Sequence, residues 1–151
     1  MARRRKGQKT SIFDCGDGHH QVATVTSKND GPLIFRRRIC DECPWRKDAP
    51  IGAFPASAYR HSAITAYDMS QNLFSCHMQG IEKGAVCNGF LNANAEHNLA
   101  IRLAIATGRF DFADLPESPV ELYGSYREMA EANGVDPDDA ALRLCRPNRG
   151  F

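Results

Sequence analysis

The first pattern along the chain is a run of β-branched residues near the N-terminus. Residues 21–26 read Gln-Val-Ala-Thr-Val-Thr, a composition typical of a β-strand. Residues 27–32 combine Ser, Asn, Asp, Gly and Pro, which favour a turn, and an apolar triplet follows at residues 33–35. The pattern predicts a short N-terminal β-hairpin, made of these two strands, that delivers the chain to Cys40.

Two later stretches repeat their apolar side chains at helical intervals. Residues 56–67 follow Pro55 and contain neither Gly nor Pro, which predicts a helix. Residues 93–107 carry a wider apolar stripe and are followed by Gly108, a residue common just after helix ends. We expect the second of these helices to be the main core element.

The C-terminal third predicts two further helices. Ser118, with Pro119 next to it and Glu121 three positions after it, has the form of a capping box with proline at the first helical position. Asn-Gly at 133–134 would end that helix, and Asp-Pro opens a last short helix over residues 136–144.

Charge is distributed unevenly, although the formal net charge is only +1. Residues 1–60 hold twelve Lys and Arg against six Asp and Glu, whereas residues 61–151 hold seven against twelve. The basic half would suit an anionic partner such as nucleic acid. Attraction between the two halves within one domain explains the asymmetry equally well.

The sequence offers no membrane-spanning or export segment. No stretch approaches the roughly 20 consecutive apolar residues that a spanning helix needs. The basic residues 3–6 are followed by polar residues 7–11 rather than by the apolar part of an export signal. We therefore expect a cytoplasmic protein without membrane contact. In that reducing compartment the six cysteines favour metal binding or catalysis over disulfides.

Four cysteines have the composition of a metal site. Two residues separate Cys40 from Cys43, which places two sulfurs on one tight turn. Zinc and iron–sulfur centres use such a turn as half of their ligand set. Cys76 and Cys87 complete a set of four thiolates. Their spacing differs from that of zinc ribbons, but a longer loop adds little closure entropy. We predict a structural metal centre at these four positions.

Two alternatives to a metal site stay open. A redox dithiol is opposed by Asp41 and Glu42, because carboxylates between the two sulfurs disfavour the thiolate that such a pair needs. Plain buried cysteines would need no ligand. For the metal itself we favour zinc, since structural zinc requires no assembly chemistry, and an iron–sulfur cluster is the alternative that four thiolates also suit.

Other residues have metal-ligating chemistry. His77, next to the third cysteine, is an alternate ligand, and its competing role is a donor to the site or a surface residue. Cys15, His19 and His20 form a second possible cluster, for which an ordinary turn is the favoured interpretation. Cys145 is expected to be a buried free thiol.

Together these features predict an α+β fold, mostly helical, as a small metal-centred domain with a short N-terminal hairpin. The length of 151 residues is that of one ordinary domain. Residues 1–11 are basic and polar without an apolar period, and we expect a disordered tail there. We assign residues 12–116 to the metal-centred domain and residues 117–151 to a C-terminal helical extension. Residues 69–90 are expected to be loops and turns around the two later cysteines.

Four short motifs together resemble a known family. They are Cys40-Asp-Glu-Cys43-Pro44-Trp45-Arg46, Phe54-Pro55, Phe74-Ser-Cys76-His77 and Cys87-Asn-Gly89-Phe90. Over residues 39–108 the chain resembles a small uncharacterised domain-of-unknown-function family of actinobacterial, proteobacterial and phage genomes. The resemblance implies the same cysteine set, adds His77 and the Pro-Trp-Arg triplet as signature positions, and leaves the C-terminal helices outside. It implies no activity, and a phage context favours an accessory or host-interaction protein.

The leading functional hypothesis is a non-enzymatic, metal-stabilised binding protein. Its basic N-terminal half would contact nucleic acid or a host protein, with the arginines at 3–5 and 36–38 as phosphate-binding charges. A related hypothesis makes the acidic helix around Glu121, Glu128 and Glu131 the partner surface, for which a solvated face is the commoner interpretation.

The alternative hypothesis is an enzyme. A metal-assisted hydrolase or nuclease would use His77, Asp68 or His61, and an iron–sulfur centre would support redox chemistry. Four protein thiolates leave zinc no open position for water, and no pair of nucleophile and base is evident in the sequence. The sequence therefore favours a protein without catalytic residues.

Overall fold

The computed structural model describes residues 8–15, 21–27, 31–75 and 85–147. Several predictions fall outside these ranges: residues 1–7 of the expected tail, the histidine pair at 19–20, and both Cys76 and His77. The described chain is α+β, with more residues in helices than in strands. Among the described residues, no helix has both the length and the apolar character needed to cross a membrane.

A three-stranded antiparallel sheet forms the N-terminal part of the fold. Strand β1 is Gln8–Asp14, β2 is Gln21–Ser27 and β3 is Asn72–Phe74. The order is β1-β2-β3, with register pairs such as Gln8 opposite Ser27 and Thr24 opposite Phe74. The β-branched residues of β2 therefore occupy the central strand, where both edges are hydrogen-bonded.

The predicted hairpin is not confirmed. Strand β2 lies where the β-branched run predicted it, but it pairs with β1 and β3 rather than with residues 33–35. Residues 33–35 form no strand, and Phe35 makes only an isolated bridge to Val86. Residues 8–11, expected in the disordered tail, belong to β1. Both predictions relied on local sequence pattern, whereas β1 begins with four polar residues and is held by backbone pairing with β2.

Helix α1, Ala56–Ser62, follows the extended Pro55 as predicted and continues into a 3-10 turn over Ala63–Ala66. The helix buries Ala58 and Tyr59 on one face. The hydroxyl of Tyr126 donates to the carbonyl oxygen of Tyr59 over 2.7 Å, which fixes α1 against the C-terminal part of the chain.

Helix α2, Asn88–Asn94, begins within residues 69–90, where loops and turns were expected, and ends just inside the helix predicted over residues 93–107. That predicted helix is shorter than expected: α3 is Leu99–Ala106, with Gly108 at a φ of 72° after its end. The break between the two helices is at Asn98, which is fully buried and whose side chain accepts from the N–H of Ile101, 3.2 Å away. The same amide donates to the carbonyl oxygens of Thr65 and Asn72. A buried capping amide thus starts a new helix without Gly or Pro.

The third predicted helix begins later than expected. Helix α4 is Tyr126–Ala132, capped by Ser125, whose hydroxyl accepts from the N–H of Glu128 over 3.0 Å. Ser118 instead forms a local turn with Val120. The serine–glutamate spacing of a capping box therefore occurs twice in this region, and the second copy starts the helix. The predicted end is correct, since Gly134 has a φ of 95°.

The last predicted helix is reduced to a 3-10 turn over Ala140–Leu142, with Asp139 as its N-cap. Another 3-10 turn covers Phe112–Asp114. The side chain of Asp136 accepts a hydrogen bond from the N–H of Asp138 over 2.8 Å. The residues predicted to start the helix therefore form a turn.

The core is a cluster of aromatic rings around Trp45, which is fully buried. Trp45 makes edge contacts with Phe74 and with Tyr126, at ring-centroid distances of 5.9 Å and 5.7 Å. Phe90 of α2 stacks on Phe74 at 6.2 Å. Since Tyr126 belongs to α4, residues of the predicted C-terminal extension pack in the same core as the segment that carries Cys43.

Candidate metal centre

The turn that carries Cys40 and Cys43 forms as the two-residue spacing predicts. The N–H of Cys43 donates to the carbonyl oxygen of Cys40 over 3.2 Å, and the N–H of Arg46 donates to that of Cys43 over 3.1 Å. The Arg46 guanidinium also donates to the Cys40 carbonyl oxygen at 3.4 Å. Cys40 is partly exposed and Cys43 is fully buried. The turn therefore holds one thiol in the core and one at its edge.

Cys87 reaches the same place from a different part of the chain. It is the N-cap residue of α2, and its N–H donates to the carbonyl oxygen of Phe74 over 2.8 Å. The preceding residue, Val86, bridges both Phe35 and Ser75. Three segments thus converge by backbone hydrogen bonding on the position of Cys87.

The sulfurs of Cys43 and Cys87 are 3.6 Å apart. Both cysteines are free, and this separation is far longer than a disulfide bond of about 2.05 Å. Two thiolates on one tetrahedral zinc ion, each about 2.3 Å from it, would have their sulfurs about 3.8 Å apart. The observed distance is close to that edge of a tetrahedron.

Gly89 makes the close approach of Cys43 and Cys87 possible. In the sequence it was named only as part of the Cys87-Asn-Gly89-Phe90 motif. A Cβ atom at Gly89 would lie 2.8 Å from the Cys43 sulfur and 2.9 Å from Cβ of Trp45. Contacts this short do not occur between real side chains, so position 89 requires glycine for space rather than for backbone conformation. The signal available in the sequence was a glycine two residues after a candidate ligand, within the Cys87-Asn-Gly89-Phe90 motif.

The surroundings of Cys43 set its protonation. A hydrogen bond from the Cys40 side chain lowers the pKa of the Cys43 thiol. A hydrogen bond with Cys87, burial, and the charge of Cys87 outweigh that effect, so the pKa lies above its ordinary value of 9.0. The backbone N–H of Trp45 also points at this sulfur and favours the thiolate. A cation beside the sulfurs would reverse the net direction, because it stabilises the thiolate.

The acidic residue Asp41, between the two turn cysteines, faces solvent. Its carboxylate lies 3.8 Å from the guanidinium of Arg46, which is held more closely by Asp48 through bonds of 2.7 and 2.8 Å. The Arg46 hydrogen bond lowers the pKa of the Asp48 carboxyl. One arginine thus links the cysteine turn to the following segment.

The described residues hold part of the predicted ligand set. Cys40, Cys43 and Cys87 are described, whereas Cys76 and His77 lie outside the described ranges. Within those ranges no three His, Cys, Asp or Glu side chains are positioned to hold a metal ion together.

The two candidate hydrolase residues that the structure describes, His61 and Asp68, have other partners. The ring of His61 stacks on Phe13 at 4.1 Å, and its pKa is lowered by burial. Asp68 accepts two hydrogen bonds from Arg146, which lower its carboxyl pKa. His97 lies 3.9 Å from the same carboxylate.

The two cysteines outside the predicted set differ from each other. Cys15 is partly exposed. Cys145 is buried, as expected, with its sulfur 3.8 Å from the carbonyl oxygen of Ala63. Burial raises the pKa of the Cys145 thiol to about 11.

Ion pairs connect the basic first part of the chain to the acidic second part. Lys47 lies 3.0 Å from Glu121, and Arg60 lies 2.9 Å from Asp139. Some of the basic charge predicted for an anionic partner is therefore used inside the domain. Arg37 is exposed and lies over the ring of Phe35, 5.4 Å from its centroid.

These observations define a small α+β domain in which cysteines from separate segments meet in an aromatic core. A protein-family model, described as a family of unknown function (DUF6283), matches residues 35–146, and the chain belongs to that family. The match extends beyond residues 39–108 and includes the C-terminal helices that the resemblance left outside. No curated protein and no solved structure matches the chain.

Proposed function

We propose that this protein is a metal-stabilised binding domain in which Cys40, Cys43, Cys76 and Cys87 hold one zinc ion. The observation that carries the proposal is the 3.6 Å contact between the sulfurs of Cys43 and Cys87, 44 positions apart in sequence. Both thiols are buried, and a third, Cys40, is joined to Cys43 by a tight turn.

The proposed fourth ligand is Cys76. The residue before it in sequence, Ser75, bridges Val86, the residue before Cys87. This bridge supports the choice of Cys76. His77 is the alternate fourth ligand, which would change the set from four thiolates to three and one imidazole.

The environment suits a buried thiolate centre. The indole N–H of Trp45 is buried and has no hydrogen-bond acceptor among the described residues. Buried donors normally have a partner, and metal-bound thiolates beside Trp45 would provide acceptors. The rings of Phe74 and Phe90 exclude water from the same region.

A single zinc ion accounts for the sulfur contact better than a large cluster does. In a four-iron cluster each cysteine binds a different iron, which separates the sulfurs more widely than ligands of one ion. An iron–sulfur centre, as in a redox protein, remains the alternative that four thiolates would also accommodate.

The metal would stabilise a fold with little regular structure. The helices have seven or eight residues, shorter than isolated helices need for stability in water. A metal linking residues 40–43, 76 and 87 would join the segments that build the core, and metal binding of this kind is coupled to folding. Four thiolates would leave no open position for water, so the proposed role is to hold a binding surface rather than to catalyse a reaction.

We propose two classes of partner for this domain, nucleic acid and a host protein. The exposed arginines Arg37 and Arg38 are the described residues that favour phosphate contact. The ion pairs of Lys47 with Glu121 and of Arg60 with Asp139 reduce the positive charge that is available for phosphate contact.

The test is metal analysis with an absorption spectrum on protein purified without oxygen. We expect one zinc per chain and a colourless sample in the wild type, and loss of metal in Cys43→Ser and Cys87→Ser. Cys145→Ser is the matched control, because Cys145 is equally buried but lies outside the cluster. Metal retention in the two cluster variants, or loss in all three, would contradict the proposal. A brown sample with visible absorption would favour the iron–sulfur alternative.

A further inference from the structure

A cleft of about 320 Å³ opens beside the cysteine turn. The residues that line it include Asp41 and Glu42 of the turn and the aromatic residues Phe54, Tyr59 and Tyr123. The cleft thus borders the turn of the proposed metal centre, and Cys40, Cys43 and Cys87 are not among the described residues that line it.

The walls of the cleft are fixed by hydrogen bonds. The N–H of Gly52 donates to the side-chain oxygen of Asn133 over 3.1 Å, and the amide nitrogen of Asn133 donates to the carbonyl oxygen of Met129. Tyr59 is held through its carbonyl oxygen by Tyr126. A cleft built in this way is largely pre-formed, as small-ligand sites usually are.

Tyr59 is the most buried aromatic residue of the cleft lining, with 4% of its surface exposed. Burial and the neighbouring Tyr123 raise the pKa of Tyr59, so its phenol stays neutral. A neutral phenol can both donate and accept a hydrogen bond, so it suits a polar ligand group.

The charged residues that line the cleft are both acidic. Asp41 and Glu42 stand at its edge, and both are exposed. The nearby Arg46 is engaged mainly with Asp48. Aromatic faces and carboxylates around one opening attract a cation, through the ring quadrupole and through charge.

We propose that this cleft binds a guanidinium or ammonium group carried on an apolar stem, as in an arginine or lysine side chain. The stem would lie against Phe54, the cationic head would face Asp41 and Glu42, and the hydroxyl of Tyr59 would accept a hydrogen bond from it. The inference deepens the proposed binding function, because the cysteine turn positions both acids.

The test uses the full-length protein as purified, with zinc measured in the same sample. n-Butylguanidinium is titrated against its neutral isostere n-butylurea, and binding is followed by the backbone amide shifts of residues that line the cleft. A blocked Gly-Arg-Gly peptide distinguishes the source of the cation: tighter binding of the peptide supports a protein partner, and equal binding supports a small molecule.

The expected result is tighter binding of the cation than of the urea, with shifts centred on Tyr59 and Tyr123. Asp41→Asn and Glu42→Gln should each weaken binding about two- to fivefold, as exposed charges do, and the effect should fall with salt. Tyr59→Phe should also weaken binding. Asp114→Asn, an exposed acid away from the cleft, is the control and should leave it unchanged.

Equal affinity for both probes, shifts located away from the cleft, or unchanged affinity in a variant that carries both Asp41→Asn and Glu42→Gln would overturn the inference. Its failure is distinguishable from failure of the metal centre. If zinc-loaded protein does not bind the cation, only the proposed cation site is contradicted. If a folded sample without zinc binds the cation, only the proposed metal centre is contradicted.

Discussion

Replacing Gly89 with alanine should disrupt the contact between Cys43 and Cys87. The added methyl group would lie 2.8 Å from the Cys43 sulfur and 2.9 Å from Cβ of Trp45. The sulfur cannot move away freely, because it already lies 3.6 Å from that of Cys87, and Cβ of Trp45 is bonded to the backbone. Relief therefore requires a shift of the turn or of α2.

The magnitude follows from two opposing effects. Overpacking a well-packed core by one methyl group costs about 1–3 kcal/mol. Alanine in place of glycine favours a helix by about 1 kcal/mol in the interior and by less at position 89, the second residue of α2. We expect a net loss of about 1–2 kcal/mol in the free energy of unfolding, together with weaker retention of metal against a chelator.

The assay is urea unfolding of the wild type, Gly89→Ala and a matched glycine control. At Gly124 an added Cβ would meet nothing closer than a carboxylate oxygen of Glu128 at 3.4 Å, an ordinary contact. Gly124→Ala should therefore change the stability by less than about 0.5 kcal/mol. If Gly89→Ala proves as stable as this control and keeps its metal, the close packing described around Cys43 is wrong.

Three further predictions concern the fold and its charges. Asn98→Ala should lose about 2–4 kcal/mol of stability in urea unfolding, since it removes a helix cap and leaves two backbone carbonyl oxygens unpaired; a loss below 1 kcal/mol would show that the buried amide does not start α3. The backbone N–H of residue 141 and the guanidinium of Arg60 lower the pKa of Asp139 below its ordinary 3.8, so its stabilisation is present above that pH and lost as the pH falls through the lowered value. Asp139→Asn should therefore be less stable than the wild type at pH 7 and equal to it near pH 2, and a pH-independent difference would refute the charge effect. If the exposed pair Arg37 and Arg38 contacts phosphate, changing both to glutamine should weaken DNA or RNA binding and lower its salt dependence; absence of any binding at low salt excludes the nucleic-acid partner.

Some of the fold was predictable because its signals are local. The β-branched run gave β2, the segment after Pro55 gave α1, and Gly108 and Gly134 ended their helices at positive φ. Each of these signals acts through the residue's own backbone preference.

The mistaken elements depended on distant contacts. Asn98 interrupts a helical pattern because its side chain bonds the backbone of Thr65 and Asn72, which lie far from it in sequence. Strand β1 has no apolar pattern and is defined by its pairing with β2. Such features follow from tertiary structure and are not visible in a local window of sequence.

The candidate site was predictable as a set of residue types but not as a geometry. Spacing alone indicated the turn between Cys40 and Cys43, and the structure shows that turn. The contact between Cys43 and Cys87 and the requirement for glycine at position 89 depend on how α2 packs against the turn. The cleft depends on Tyr59 and Tyr123, which sequence patterns do not connect.

The most direct test of the metal centre is X-ray absorption at the zinc edge of the purified protein, with the metal content of the same sample. We expect one zinc per chain in a shell of four sulfurs at about 2.3 Å. Three sulfurs and one nitrogen would place His77 in the position assigned to Cys76. Absence of stoichiometric metal, or a shell without sulfur, would contradict the central claim.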